Sequence, residues 1–301
     1  MKHRVIVLAF ALLGGSLLME GCSSVYVGEP ENGAPIAFGT AMTRAAVNAD
    51  KAGMENYHVW GGFNGNNLFN PISVTPAGTY DGIRYWTPGK KHNFYALHPK
   101  SLVGNCTNDG VLTVTNFDSS VTGEGAIDLM TARATGIIYN GGETPAPVPL
   151  SFRHELARVK FVLSTEADVT INSVRLYGIS RQGDYTLGVN GESSWSKSPN
   201  VTEGNTPFKG DNIELLKYGE IDLFGGVMLL IPQGLTDAKI VVNWTYKDTN
   251  EAKSFSASLA NAWESGKSYQ YSANIPAAEV YITPEWKVQE WTIVTGDITF
   301  N

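Results

Sequence analysis

Cysteine is almost missing from this 301-residue chain, which has only Cys22 and Cys106. A disulfide framework is thereby excluded, and stability has to come from core burial and strand pairing. Charge is sparse as well: Asp, Glu, Lys and Arg are 17% of residues, with a formal net charge of −7. No basic stripe runs along the chain, so nucleic acid is not an expected partner. Long windows of Ala, Leu, Glu and Lys are absent, which argues against a helical protein. Catalytic signatures are lacking too. There is no Gly-x-Ser-x-Gly elbow, no phosphate-binding loop and no dinucleotide fingerprint. The histidines (His3, His58, His92, His98 and His154) stand at no metal-ligand spacing from Cys, Asp or Glu. Asp109, Asp118, Glu124 and Asp128 are scattered over Gly-rich loops and do not form a calcium-binding ladder. No carboxylate pair has a recognisable glycosidase setting. The expectation is a non-enzyme with neither cofactor nor metal.

What is plentiful is glycine (32 residues), with Tyr, Trp, Phe, Val, Ile and Thr. That is the composition of an all-β protein. Apolar runs bounded by turn residues predict strands at 57–63, 79–86, 92–97, 111–115 and 127–130. The second half predicts them at 148–152, 156–163, 169–177, 227–231, 239–246, 253–259 and 269–275. Asn140-Gly141-Gly142-Glu143-Thr144-Pro145-Ala146-Pro147 combines glycine freedom with proline stiffness and reads as a linker. Two tandem β-sandwich domains follow, 36–147 and 148–301. The polar stretch 190–212 reads as a surface excursion, and Cys106 as a plain small residue in a turn.

The first residues resemble an export signal. Lys2, His3 and Arg4 precede an apolar run from Val5 to Met19, then Glu20-Gly21-Cys22-Ser23-Ser24. A small residue before cysteine suits lipoprotein processing, so 1–21 is read as the signal, Cys22 as the acylated new N-terminus and 22–35 as a tether. Met19 and Glu20 depart from the preferred residues. The plainer alternative is an ordinary secretory signal followed by an incidental cysteine. Acyl chains would hold the protein to a membrane at about 0.8 kcal/mol per buried methylene.

After the tether, Ile36, Phe38, Thr40 and Met42 alternate with Ala37, Gly39 and Ala41, a half-buried strand pattern. Thr43-Arg44-Ala45 follows at the edge of a polar stretch. Near the other end, residues 279–301 carry Trp286, Val288, Trp291, Ile293, Ile298 and Phe300.

Five local patterns, in order, resemble the fimbrillin family, the type V pilins. They are Phe94-Tyr95-Ala96-Leu97-His98-Pro99, Asp128-Leu129-Met130-Thr131-Ala132, Leu150-Ser151-Phe152-Arg153-His154-Glu155-Leu156-Ala157-Arg158-Val159-Lys160-Phe161, Leu230-Ile231-Pro232-Gln233 and Trp263-Glu264-Ser265-Gly266-Lys267-Ser268-Tyr269-Gln270-Tyr271. The resemblance implies two transthyretin-like β-sandwiches, export as a lipoprotein to the outer membrane and cell surface, and a cut after an arginine that follows the first strand. Loss of that strand opens a groove, which a neighbouring subunit fills with its C-terminal strand. Arg44, with Ala45 after the cut, resembles the processing site. Ile36, Phe38, Thr40 and Met42 mark the removable strand. Trp286, Val288, Trp291, Ile293, Ile298 and Phe300 mark the donor.

The physics is self-consistent. A vacated sheet edge bares unpaired backbone and an apolar cleft, and an added strand repairs both. A donor burying about five apolar side chains gains on the order of 10 kcal/mol before ordering costs. Giving at one end and receiving at the other makes a head-to-tail contact that propagates into a filament. Expected partners are therefore other pilin subunits, the outer membrane through the acyl chain, and a host protein or glycan.

Each residue also has an ordinary reading. Arg44 is then an exposed loop arginine, and the C-terminal aromatics are core residues of the last strand. Thr295-Gly296-Asp297 interrupts the donor pattern, which leaves shaft, tip and accessory roles open. The rival of another class is a glycan-binding outer-membrane lipoprotein that never polymerises, with Trp60, Tyr85, Trp86, Trp195 and Trp244 as exposed sugar platforms. Core packing explains the same aromatics. A surface hydrolase is the third reading.

Overall fold

The computed structural model describes residues 33–42, 54–63, 69–198, 209–259, 262–278 and 287–291; for 41, 42, 209 and 287–291 it describes the backbone alone. The protein is all-β. Its first strands are β1 (Phe38–Met42), β2 (Tyr57–Phe63), β3 (Ile72–Val74), β4 (Lys91–His98), β5 (Gly104–Cys106), β6 (Leu112–Asp118), β7 (Met130–Ile138) and β8 (Val148–His154). Then come β9 (Ala157–Thr165), β10 (Val169–Tyr177), β11 (Gln182–Leu187), β12 (Ser193–Lys197), β13 (Lys209–Leu215), β14 (Glu220–Asp222), β15 (Met228–Leu230) and β16 (Gln233–Gly234). The last are β17 (Lys239–Tyr246), β18 (Ala252–Ser258), β19 (Ala262–Trp263), β20 (Ser268–Ile275) and β21 (Lys287–Trp291).

The second half forms a sandwich of two sheets, β13-β10-β17-β18 and β14-β9-β20-β21. Strict alternation builds it. In β17, Ile240, Val242, Trp244 and Tyr246 are buried and the residues between them are half-exposed. They meet Val159, Phe161 and Leu163 of β9 and Tyr269, Tyr271 and Ile275 of β20 in one continuous core. Phe161 and Tyr271 pair in register across β9 and β20, and their rings stack at 4.8 Å.

In the first half a six-stranded sheet has the order β1-β8-β7-β4-β2-β3. The middle strand β4 is buried on both faces from Phe94 to His98. One face meets the sheet β12-β11-β6-β5 in a core that includes Trp60, Leu97, Leu112, Val114 and Tyr185. The other face carries Tyr57, Val59, Phe94, Ala96 and Ala132. Strand β8 pairs with β7 at only two positions, Met130 with His154 and Thr131 with Arg153. It then peels away and crosses this second face, so that Phe152 of β8 stands edge-on to Tyr57 of β2 at 5.0 Å.

The sheets do not divide at the expected boundary between 147 and 148. Strand β8 lies beyond it, yet its apolar face (Val148, Leu150 and Phe152) belongs to the first core. Strand β11 also returns to pair with β6 and β12 pairs with β11, which puts part of the expected polar excursion into the first half. The residues joining β8 to β9 are therefore the joint of the molecule. There Glu155 is fully buried: its carboxylate accepts from Thr131 Oγ1 and Arg153 Nε, both at 2.6 Å. Trp195 Nε1 donates to the Glu155 carbonyl at 3.0 Å, and Ser265 Oγ to the His154 carbonyl at 2.9 Å. His154 Nδ1 contacts the Asp128 carboxylate at 2.9 Å.

Candidate functional site: a groove filled by the first strand

The segment 34–42 is inserted between two stretches of backbone. On one side, the Ile36 amide donates to the Arg84 carbonyl at 2.8 Å and the Trp86 amide to the Ala34 carbonyl at 2.9 Å, with Pro35 bridged antiparallel to Tyr85. On the other, β1 runs parallel to β8, pairing Phe38 with Val148, Thr40 with Leu150 and Met42 with Phe152. The Val148 amide donates to the Ala37 carbonyl at 2.8 Å. Residues 34–36 thus pair with 84–86 and the edge strand β1 pairs with β8, so the segment covers two stretches of backbone that would otherwise be unpaired.

Its side chains seal the slot. Ile36 and Phe38 are 5% and 4% exposed and belong to the first core. The Phe38 ring meets Tyr80 and Phe94 edge-on at 5.5 and 5.6 Å. Burying the two side chains contributes about 3–6 kcal/mol. The Tyr80 hydroxyl donates to the Ile36 carbonyl at 2.6 Å and accepts from the Arg84 amide at 3.3 Å. Burial pushes that hydroxyl's pKa up, so it stays a donor at neutral pH. Thr40 Oγ1 donates to the Pro76 carbonyl at 3.0 Å. Gly78 has φ +80, and a Cβ there would overlap the Phe38 carbonyl. Only glycine lets the turn at 75–79 pass this close over the strand.

The floor carries two neutral histidines. His92 Nδ1 donates to the Lys90 carbonyl at 3.1 Å and Nε2 accepts from the Thr87 amide at 3.3 Å, which sets one neutral tautomer. Its ring lies edge-on to Trp86 at 4.8 Å. His98 Nε2 accepts from the Glu55 amide at 3.2 Å while Nδ1 donates to the Asp128 carbonyl at 3.2 Å. Burial lowers the pKa of both, the neighbouring Asp128 and Glu55 partly opposing it at His98.

Of the residues expected to be removable, Ile36 lies just before β1, Phe38 and Thr40 lie in it, and Met42 ends it. Cys22, Arg44 and Ala45 lie outside the described residues, as do Trp286, Ile293, Ile298 and Phe300 of the expected donor. Val288 and Trp291 lie in β21, which pairs antiparallel with β20 of its own chain and forms the edge of that sheet. Sequence reasoning missed Tyr80, Gly78 and the 84–86 wall. It read 79–86 as a strand, but those residues make only isolated bridges at Tyr80 and Tyr85 as they cross the core. The turn-forming Thr75-Pro76-Ala77-Gly78 was the available signal.

Of the aromatics expected as exposed platforms, Trp60, Trp86 and Trp244 are buried in the three cores, Trp195 is half-buried against Phe117 and Tyr185, and Tyr85 is half-buried. The Cys106 thiol is half-buried, and burial pushes its pKa up to about 12, which leaves it unreactive at neutral pH. Among the described residues, no group of three or more His, Cys, Asp or Glu side chains is placed to hold a metal ion.

No curated protein sequence matches the chain. Solved structures do, with a shared fold at low identity. A fimbrial protein from Bacteroides vulgatus aligns with TM-score 0.56 and 16% identity over 86% of this chain and all of its own. A putative cell adhesion protein from Bacteroides uniformis aligns with TM-score 0.52 and 17% identity, covering 86% and 99%. Another from Bacteroides ovatus gives 0.51 and 16%, covering 86% and 98%. The fimbrillin-like profile matches residues 37–291, from the first strand to the last described one, and the chain therefore belongs to the fimbrillin-like family.

Proposed function

We propose that the protein is a surface fimbrial subunit, a precursor whose first strand is removed and replaced by the C-terminal strand of another subunit. The observation that carries this reading is the two-sided slot. Residues 34–42 fill a vacancy between 84–86 and β8, and they enter it from the start of the described chain rather than from within the sheet. A strand in that position is removable without cutting the rest of the fold.

A donor with about five apolar residues gains on the order of 10 kcal/mol before ordering costs on entering the slot that Ile36 and Phe38 now seal. Donation is served by the position of β21, which among the described residues has a neighbour on one side only. Cys22 is the proposed lipid attachment that carries the precursor to the outer membrane, and Arg44, two residues beyond β1, the proposed cut. Subunits joined head-to-tail then grow into a fibre at the cell surface.

N-terminal sequencing of the protein from intact cells tests both cuts at once. The reading expects an amino terminus at Ala45, with a lipid-modified Cys22 form as its precursor, and expects Arg44→Ala to accumulate that precursor. An Arg44→Ala protein that matures at the same position as the wild type would mean that the processing site is elsewhere.

A further inference from the structure

An open cavity of about 500 Å³ lies at one end of the second sandwich, remote from the groove and built by different strands. It sits where the end of β9 and the end of β20 meet the loop between β13 and β14. Tyr218 lines it from that loop and is 78% exposed. Its φ of +64 is the left-handed region, which an aromatic residue adopts only under strain. The conformation is nevertheless tied down. The Tyr218 amide donates to the Thr165 carbonyl at 2.8 Å, the Gly219 amide to the Leu216 carbonyl at 2.8 Å, and the Lys217 amide to Asp168 Oδ1 at 2.7 Å. An exposed aromatic ring is thus held, under strain, at the rim of a cavity where core packing does not need it.

The walls are polar and pre-ordered. Ser164 Oγ donates to Asn274 Oδ1 at 3.0 Å, and Asn274 Nδ2 donates to Glu166 Oε1 at 2.9 Å. Glu220 lines the other side. Lys217 Nζ lies 5.0 Å from the centre of the Tyr218 ring. The charges decide the guest. An anion would meet Glu166 and Glu220, and a cation seeking the ring would meet Lys217. What suits an aromatic face beside fixed carboxylate, amide, hydroxyl and ammonium groups is a neutral polyol with one apolar face.

We propose that this cavity is a binding subsite for a neutral pyranose residue of a glycan, with Tyr218 as the stacking face and Glu166, Glu220, Ser164 and Asn274 as partners for its hydroxyls. The subsite makes the second sandwich an adhesive surface, and it operates whether or not the first strand is exchanged.

The test uses the full chain and a defined panel: neutral trisaccharides ending in glucose, galactose or mannose, an oligogalacturonate as the anionic control and a glucosamine trisaccharide as the cationic one. Binding is read by saturation-transfer NMR and titration. At least one neutral trisaccharide should bind. Tyr218→Gly should weaken it by about tenfold or more, as loss of an aromatic anchor does, while leaving the melting temperature equal or higher because glycine accepts the backbone angle. Glu220→Gln, which keeps the shape of the wall, should weaken it severalfold. Absence of binding by every neutral member, preference for either charged control, or unchanged affinity in both variants overturns the assignment.

Discussion

The two ends of this molecule close their cores in different ways. In the second sandwich, most of the core comes from β9, β10, β17 and β20, which each have hydrogen-bonded neighbours on both sides, and the edge strands β13 and β18 add Leu215 and Phe255. In the first half, the core beneath β8 is sealed by an edge strand placed at the beginning of the described chain. The hydrophobic content of both is similar in kind; what differs is where the closing strand lies. The second core is completed mainly within its sheets, whereas the first is completed by a strand at the beginning of the described chain, the arrangement on which the proposed exchange rests.

The largest effect that separates the two regions is truncation of an anchor ring. Phe161→Ala should cost about 3–5 kcal/mol in denaturant unfolding and destabilise the second sandwich as a unit. Phe38→Ala should fall at or below the low end, about 3 kcal/mol, because an edge strand relaxes more easily. It should also accelerate hydrogen exchange at Val148 and Trp86, which face the arm, and leave Phe161 protected. Uniform acceleration across both halves would erase the distinction drawn here.

The joint is next in size. Glu155→Ala leaves the buried Thr131 hydroxyl with Tyr185 alone and Arg153 without its carboxylate partner, at a cost of about 1–3 kcal/mol. Calorimetry should show the halves melting less cooperatively, as a broadened or divided transition. A single sharp transition at a lower temperature would assign Glu155 to one half only.

Acid should act on the first half alone. Burial lowers the pKa of His58, His92 and His98 below the ordinary 6.5. Between the lowered value and about 6.5 the unfolded chain binds protons that the folded chain refuses. Stability from these groups is thus complete above about pH 6.5 and falls as the pH drops below it. No histidine follows His154 in the chain. Between about pH 7.5 and about pH 5.5, hydrogen exchange should speed up around β2 and β4 and stay constant in β10 and β17. The smallest expected effect is that of Tyr80→Phe, about 1 kcal/mol, from losing the bond to the Ile36 carbonyl. After cleavage at Arg44, the arm of that variant should dissociate faster; equal release rates would show that the hydroxyl does not hold the arm.

Much of this architecture was legible in the sequence where alternation is strong. The expected strand 169–177 coincides with β10, and 239–246 with β17, because one face of each is buried in a single core. The first strand was legible for the same reason, through Ile36 and Phe38. Illegible were features that depend on distant partners. Strand β12 lies in the polar stretch that reads as a surface excursion, yet it pairs with β11, whose Tyr185 pairs with Val114 and closes the first half. The run 79–86 has strand composition, but its neighbours are the arm and a turn, so it crosses rather than joins a sheet. The motif around Glu155 carried the family resemblance, while the reason for its residues, a buried carboxylate at the joint, appears only in three dimensions.

The most direct test of the removable-strand account is cleavage of the purified full chain with an arginine-specific protease, followed by mass analysis of both products under native and SDS conditions. The account predicts a cut at Arg44, loss of the peptide containing Ile36 and Phe38 as the protein is concentrated, and an SDS-resistant ladder of the shortened chain. A cleaved protein that keeps this peptide bound and stays monomeric at high concentration would contradict it.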